Sequence, residues 1–574
     1  MVKLQINNKS VSVPEKTTIL DAAASIGIKI PTLCYLKGVC DVAMCRVCVV
    51  EIEGDNKLSA ACNTVVEEGM VIQTNSRRVR EARKVNIDLI LADHNSSCTA
   101  CERSGNCELQ MLAESMNIPE TSYENKFGCS CDWPQDYPLL RDDSKCVKCM
   151  RCVKVCDKVQ SLAIWDTRDT AMRLRVDVAG GKSIKETDCA LCGQCIKYCP
   201  VGALNARNDS DKVFDAISDP EKVVVFQVAP AVRTAWAESQ GLTTEEATEG
   251  KMAAAIRALG VDYVFDTNFT ADLTIMEEGS ELLERLGAKE KHQWPMFTSC
   301  CPGWVSFAKT QYPEMLLNLS TAKSPQQMFG AAVKTWFAKR ANIDPKKIFS
   351  VSVMPCVAKK NEITLPDMDS AGAGPDVDVV ITSRELARMI RSSNIDAKAL
   401  KDEKFDDILG EGSGAAVIFG ATSGVCEAAL RTVYYVVEGK NPPPDMFKGV
   451  RLSSGIIESE VTLKGNKVRV AIASGLGNAR ALIEKVKKGE AMYDFIEVMA
   501  CPGGCINGGG QPIVQDDAIL ADRAKMLYKL DEKNPVRFSH ENKAVQMAYK
   551  EFFEKPLSHK SHDLLHTEHK VVKK

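Results

Sequence analysis

The chain carries 24 cysteines, and four of them, Cys301, Cys356, Cys501 and Cys505, constrain its folding most. They lie in three separate motifs, TSCCPGW (298–304), VMPC (353–356) and VMACPGGC (498–505). Each motif follows an apolar, β-type run: WPMF, IFSVSVMP and FIEVMA. Each motif is therefore expected just past the C-terminal end of a strand, the edge at which open α/β sheets bind ligands. Four thiolates brought to one edge from distant parts of the chain can hold an iron–sulfur cluster. Structural zinc is the alternative. It is disfavoured because zinc sites usually draw on tight local cysteine pairs, whereas Cys301 and Cys356 stand far from the rest of the set.

A length of 574 residues exceeds what one core serves, so three to four domains are expected. The net charge of −3 suggests neither nucleic acid nor an anionic membrane as partner. No run approaches about 18 uninterrupted apolar residues, so no membrane insertion is expected. The start, MVKLQINNKS, has no apolar signal core, and a cytoplasmic location follows as the expectation. A disulfide framework suits short secreted chains. Metal ligation in a reducing compartment accounts better for so many thiols here.

The fold class expected is multidomain, mixing α+β and α/β. Residues 1–78 read as a β-grasp 2Fe–2S ferredoxin-like domain: a hairpin from VKLQINN and KSVSV, a helix TTILDAAASIG capped at Thr17 or Thr18, and a strand RVCVVEIEG. Its ligand candidates are Cys34, Cys45, Cys48 and Cys62, with a longer first gap than the plant-type spacing. Cys40, inside that gap, is read as a packing residue or free thiol. Residues 79–126 form a small helical unit carrying His94, Cys98, Cys101 and Cys107, read as a one-histidine, three-cysteine site for a 4Fe–4S cluster. A neutral imidazole in place of an anionic thiolate should raise the potential of such a cluster. Residues 127–209 contain two runs, Cys146-x2-Cys149-x2-Cys152-x3-Cys156 and Cys189-x2-Cys192-x2-Cys195-x3-Cys199-Pro200. This is the bacterial two-cluster ferredoxin spacing, in which the fourth cysteine of each run ligates the other cluster. One set is then Cys146, Cys149, Cys152 and Cys199, and the other Cys189, Cys192, Cys195 and Cys156. Cys129, Cys131 and Cys426 are assigned to packing.

Residues 210–574 read as a large α/β domain. Strands VVVFQVA (223–229), YVFDT (263–267), VDVVIT (377–382) and VRVAIAS (468–474) alternate with helical stretches. GLGNAR (475–480) lacks the last glycine of a dinucleotide fingerprint and is read as a loop. Glu278, Glu281 and Arg285 fall at i, i+3 and i+7 of a helical segment, so they share one face. Residues 540–574 are basic and polar, and His559, His562 and His566 are read as part of a solvated tail.

With these motifs in view, the chain resembles the iron-only (FeFe) hydrogenases. TSCCPGW, MPC followed by Lys359, and MACPGGCINGGGQP (499–512) are similar to that family's three active-site signatures, in order. The N-terminal modules match its accessory-cluster domains, so the resemblance spans essentially the whole chain. It implies reversible hydrogen oxidation and proton reduction at an H-cluster. There a 4Fe–4S cube on Cys301, Cys356, Cys501 and Cys505 is bridged through Cys505 to a diiron centre carrying CO, cyanide and a dithiolate. It also implies one 2Fe–2S cluster and three accessory 4Fe–4S clusters.

The same resemblance assigns roles residue by residue. Lys359 donates to a cyanide, and Ala231, Gln326, Met354 and Met499 contact the cofactor. Cys300 delivers protons, supplied along Glu278, Ser320, Glu281 and Arg285. A row of charges on a helix is ordinarily a solvated face; here its register with the family's proton route favours the relay. Departures from the family pattern are Ala231 in place of a frequent Ser, Val357-Ala358 in place of Thr-Ser, and Cys426 in place of a frequent Met. Ferredoxin is the implied electron partner, with maturation proteins for the diiron centre. The alternative is a subunit of an NAD(P)-linked, electron-bifurcating complex, which would need flavin- or nucleotide-binding partner chains. A non-enzymatic hydrogen sensor or iron–sulfur assembly paralogue is the rival reading, against which Cys300, Glu278 and Lys359 argue.

Overall fold

The computed structural model describes residues 1–123, 132–170, 174–451 and 455–571; residues 129 and 131, assigned above to packing, lie outside them. The chain divides into two compact units, Met1–Thr187 with Gln194–Asn205, and Asp188–Gly193 with Ala206–Lys574.

The first unit opens with the expected hairpin. Val2–Ile6 pairs antiparallel with Lys9–Val13 across Asn7-Asn8, whose φ angles of 49° and 65° are the left-handed pair that a tight two-residue turn requires. Alternation along both strands sends Leu4, Ile6, Val11 and Val13 into a core shared with Ile19, Ala22 and Ala23 of the helix Ile19–Ser25. Thr18 caps that helix by accepting the Asp21 N–H. Val71–Gln73 adds in parallel to Val2–Ile6, and Val49–Ile52 and Leu58–Ala60 complete a five-stranded sheet. Beyond it, Ser76 caps the helix Arg77–Ala92, which delivers the chain to His94.

The second unit is built on two four-stranded sheets. In the first, Tyr263–Asp266, Val223–Val228, Ile348–Met354 and Val379–Thr382 lie side by side, all parallel. Both faces are covered, which is why these strands read as continuous Val/Ile runs rather than alternating ones. In the second, Met296–Phe297, Phe495–Met499 and Asn466–Ser474 are parallel, and Gly455–Leu463 closes the edge as an antiparallel hairpin. The helix Asn268–Gly287 is buried along most of its length.

Two expectations are corrected here. GLGNAR is not a loop: the helix Leu476–Lys487 begins directly after the strand, at Gly475 with φ of 93°. Arg480 projects from it onto Phe307 and Tyr312 and donates to Gln311 Oε1 at 2.7 Å. Nor are residues 540–571 a solvated tail. Tyr549, Phe553, Leu564 and Leu565 join a hydrophobic core with Phe269 and Phe329, and His540 and His566 are buried, leaving His559 and His562 outside. The segment's polar composition conceals a few apolar anchors at helical spacing.

Candidate active site

The three cysteine motifs all leave strand ends. Cys301 follows Met296–Phe297 and is the N-cap of the helix Pro302–Gln311, Cys356 follows Ile348–Met354, and Cys501 follows Phe495–Met499. With Cys505 they line one cavity. Cys301, Cys356 and Cys505 keep part of their surface, yet protein encloses them, and burial pushes all four thiols above the ordinary range. Among the described residues, no three His, Cys, Asp or Glu side chains converge closely enough for a single metal ion. Thiols spread around a void fit a multi-atom cluster better than zinc.

Glycines let the backbone approach. A Cβ on Gly508 would stand 2.1 Å from the Pro355 carbonyl oxygen, and one on Gly504, at φ of 91°, 2.5 Å from the Thr422 nitrogen. Gly508→Ala is therefore expected to cost about 1–3 kcal/mol by overpacking, read as a lowered denaturation midpoint. An unchanged midpoint would mean the loop yields freely.

The same cavity is lined by Ala231, Gln326, Met354, Met499, Lys359 and Cys300, so every residue assigned to cofactor contact reaches it. Ala231 presents a methyl where a serine would present a hydroxyl, and its carbonyl accepts from Gln511 Nε2 at 2.7 Å. Lys359 Nζ donates to Glu362 Oε2 at 2.8 Å and faces the Cys300 carbonyl at 3.4 Å. Burial alone would lower this ammonium, but Glu362 outweighs it and holds the charge. Gln326 Nε2 donates to the same Glu362 oxygen at 3.0 Å, while its Oε1 has no partner. Next in sequence, fully buried Lys360 bonds Asp209 at 2.8 Å, Glu385 at 2.9 Å and the Val380 carbonyl at 2.7 Å. That anchor fixes the short helix that aims Lys359.

The proton-route candidates are buried rather than solvated. Glu278 is fully buried, accepts the Ser299 N–H at 3.3 Å on Oε1, and its carboxyl also feels the Ser320 hydroxyl. Burial, reinforced by the charge of Glu281, pushes its carboxyl up to about 8. Cys300 follows Ser299, and its thiol is pushed up by burial and then by Glu278. Ser320 Oγ donates to Glu281 Oε2 at 2.8 Å. Arg285 pairs with Glu281 Oε1 and donates to the Leu319 carbonyl at 2.9 Å.

Sequence reasoning missed Glu362, Glu497, His566 and His569. Glu497, in the fully buried strand Phe495–Met499, accepts N–H bonds from Ser423 at 2.6 Å and Cys426 at 2.7 Å. Burial pushes its carboxyl up to about 7. An acidic residue amid FIEVM was the available signal.

In the first unit, Cys34 stands beside Cys45 and Cys48 beside Cys62, and all four are buried. His94 is buried, with Nδ1 3.0 Å from the Lys145 carbonyl. A carbonyl only accepts, so Nδ1 carries the proton and Nε2 is left with its lone pair, the arrangement typical of a metal-ligating imidazole. Burial lowers this imidazole's pKa and keeps it neutral. Cys107 is buried and is the N-cap of the helix Glu108–Ser115. Cys146, Cys149, Cys152 and Cys199 line one cavity, so the fourth cysteine of the second run sits with the first three of the first run. Cys40 is buried and its thiol faces the Cys149 carbonyl at 3.7 Å. Cys156 and Cys195 belong to this unit. In the second unit, Cys192 lines the larger cavity, and its carbonyl faces the Cys501 thiol at 3.6 Å. Cys189 belongs to that unit as well.

Comparison with known proteins agrees with this geometry. Residues 222–509 match the family described as iron only hydrogenase large subunit, C-terminal domain, and 517–572 match the iron hydrogenase small subunit. Residues 1–77 match a 2Fe–2S cluster binding domain, 83–122 the NADH-ubiquinone oxidoreductase-G iron–sulfur binding region, and 145–203 a 4Fe–4S dicluster domain. The chain is 47% identical to the NADP-reducing hydrogenase subunit HndD of Solidesulfovibrio fructosivorans, over 99% of this chain and 98% of that one. It is 41% identical to iron hydrogenase 1 of Clostridium pasteurianum, over 99% and 100%. A solved apo FeFe-hydrogenase from Chlamydomonas reinhardtii matches with a TM-score of 0.58 at 41% identity, covering 63% of this chain and 98% of that one. The chain belongs to the iron-only (FeFe) hydrogenases, in the form whose catalytic domain is preceded by 2Fe–2S and 4Fe–4S domains.

Proposed function

We propose that this protein interconverts protons, electrons and hydrogen, 2H⁺ + 2e⁻ ⇌ H2, with electrons relayed through its N-terminal clusters to or from ferredoxin. The observation that carries this reading is the one cavity that Cys301, Cys356, Cys501, Cys505, Cys300 and Lys359 line together. The four cysteines would hold the cube and Cys505 would bridge to the diiron part. When bound, that diiron unit, with its CO, cyanide and dithiolate ligands, supplies the centre at which hydrogen is made or split.

The chain's own residues do the rest. Lys359 offers a charge-assisted donor toward an anionic ligand, stronger in an enclosed site than in water. The largely apolar wall, with Met354 and Met499 at the strand ends, keeps bulk water out. Protons must then arrive through fixed groups. Arg285 and Glu281 hold the outer end, the Ser320 hydroxyl continues the line, and Glu278 hands a proton to Cys300 Sγ. A carboxyl held near 8 by burial gives and takes a proton at neutral pH, as an efficient acid–base group must.

The hydrogen couple lies at about −0.41 V at pH 7, from about 59 mV per pH unit, which 4Fe–4S clusters can match. The proposed complement is one 2Fe–2S cluster on Cys34, Cys45, Cys48 and Cys62, and three accessory 4Fe–4S clusters. No described helix is long and apolar enough to cross a membrane. The reducing cytoplasm is the proposed location, because it keeps ligand thiols available.

A second reading, as the hydrogenase subunit of an NAD(P)-linked complex with flavin-containing partners, is favoured by the match to HndD over nearly the whole chain. Maturation proteins would deliver the diiron unit under either reading. The test is electron donor dependence. Removing residues 1–78 should slow hydrogen evolution from reduced ferredoxin while sparing evolution from a small viologen dye. Equal loss with both donors would contradict the assignment of this module to electron uptake.

A further inference from the structure

The end of the chain lies across the stretch that carries Ser320. The Lys323 N–H donates to the Leu565 carbonyl and the Thr567 N–H to the Thr321 carbonyl, each at 2.8 Å, with an antiparallel bridge between Ala322 and His566. Thr321 Oγ1 and His566 Nδ1 are 2.8 Å apart. His569 Nε2 stands 2.7 Å from the Ser320 carbonyl, so Nε2 carries the proton and donates.

Two adjacent buried glutamates divide the work beneath this strap. Glu277 accepts from Tyr549 Oη at 2.6 Å, the Leu557 N–H at 2.9 Å and His566 Nε2 at 3.1 Å. That carboxylate is committed to anchoring the C-terminal segment. Glu278, one residue on, is free of the C-terminal segment and faces the Ser299 N–H and the Ser320 hydroxyl instead.

We propose that residues 565–569, through His569, act as a positioning strap that holds the Ser320 hydroxyl in register between Glu278 and Glu281. This rests on the proton route given above. His569 holds the geometry and does not itself pass the proton. Burial pushes its imidazole down to about 4, with Lys309 and Arg285 lowering it further and the Ser320 carbonyl and Glu281 opposing. It therefore stays neutral near pH 7. Proton transfer depends steeply on placement: a misplacement of about 1 Å can cost up to about 100-fold in rate. A strap bonded at Leu565, Thr567 and His569 supplies that restraint from outside the route.

The experiment compares holoenzyme carrying His569→Ala, His569→Gln or Glu281→Gln. It reads turnover, the solvent deuterium isotope effect, infrared bands of the active site and amide exchange of residues 319–323. His569→Ala should slow turnover roughly tenfold, within the range that misplacement allows. It should also raise the isotope effect and speed exchange at Thr321 and Lys323, with infrared bands unchanged. His569→Gln, which keeps an N–H for the Ser320 carbonyl, should restore all three. Normal turnover and isotope effect in His569→Ala, alongside a slow Glu281→Gln, would overturn the strap alone. Equal slowing by Ala and Gln would also overturn it, returning His569 to packing. Normal turnover in Glu281→Gln would overturn the route, and the strap with it.

Discussion

Cys300→Ala is expected to leave iron content and infrared bands nearly unchanged while cutting hydrogen turnover by at least the ~10²-fold typical of losing a general acid. Cys300 is surplus to the four thiols that a cube needs, yet it lines the same cavity and couples to Glu278. A thiol can give up a proton and regain it from that carboxyl; a methyl cannot. Cys300→Asp should recover part of the rate, because a carboxyl can carry the same proton. Hydrogen evolution at the normal rate by fully loaded Cys300→Ala enzyme would eliminate the route and return Cys300 to packing.

The second large effect is expected at Cys505. Cys505→Ser should prevent stable retention of the diiron unit, abolishing CO and cyanide bands and activity together, while the accessory cluster signals persist. A hydroxyl is a poor substitute for a soft thiolate ligand to iron. Full bands and activity in Cys505→Ser protein would show that another thiol makes the bridge.

Much of the scaffold was legible because each signal was local. Strand ends were marked by WPMF, IFSVSVMP and FIEVMA, and the N-terminal hairpin by alternation around Asn7-Asn8. The two ferredoxin-type runs showed themselves by spacing, and Cys146, Cys149, Cys152 and Cys199 line one cavity. Glu278, Glu281 and Arg285 were placed on one helix face by periodicity, but only the fold buries that face.

What escaped notice depends on distant partners. Glu362 matters because Lys359 and Gln326 both turn toward it, and Gln326 comes from another helix. His566 and His569 looked like members of a polar tail. Their environment is supplied by Glu277, Thr321 and Ser320, hundreds of residues away, through a pairing that no local pattern announces. GLGNAR misled in the other direction: missing the fingerprint's last glycine argued against a nucleotide site but said nothing against a helix starting there.

If the cavity lined by Cys301, Cys356, Cys501 and Cys505 takes a diiron unit bridged to a cube, an infrared spectrum of anaerobically matured protein will show it. Stretching bands of iron-bound CO and cyanide should appear, and should be absent from protein made without maturation proteins but with its cubane clusters intact. A fully iron-loaded sample that showed neither, matured beside a hydrogenase that does acquire those bands, would mean that this cavity holds no diiron unit.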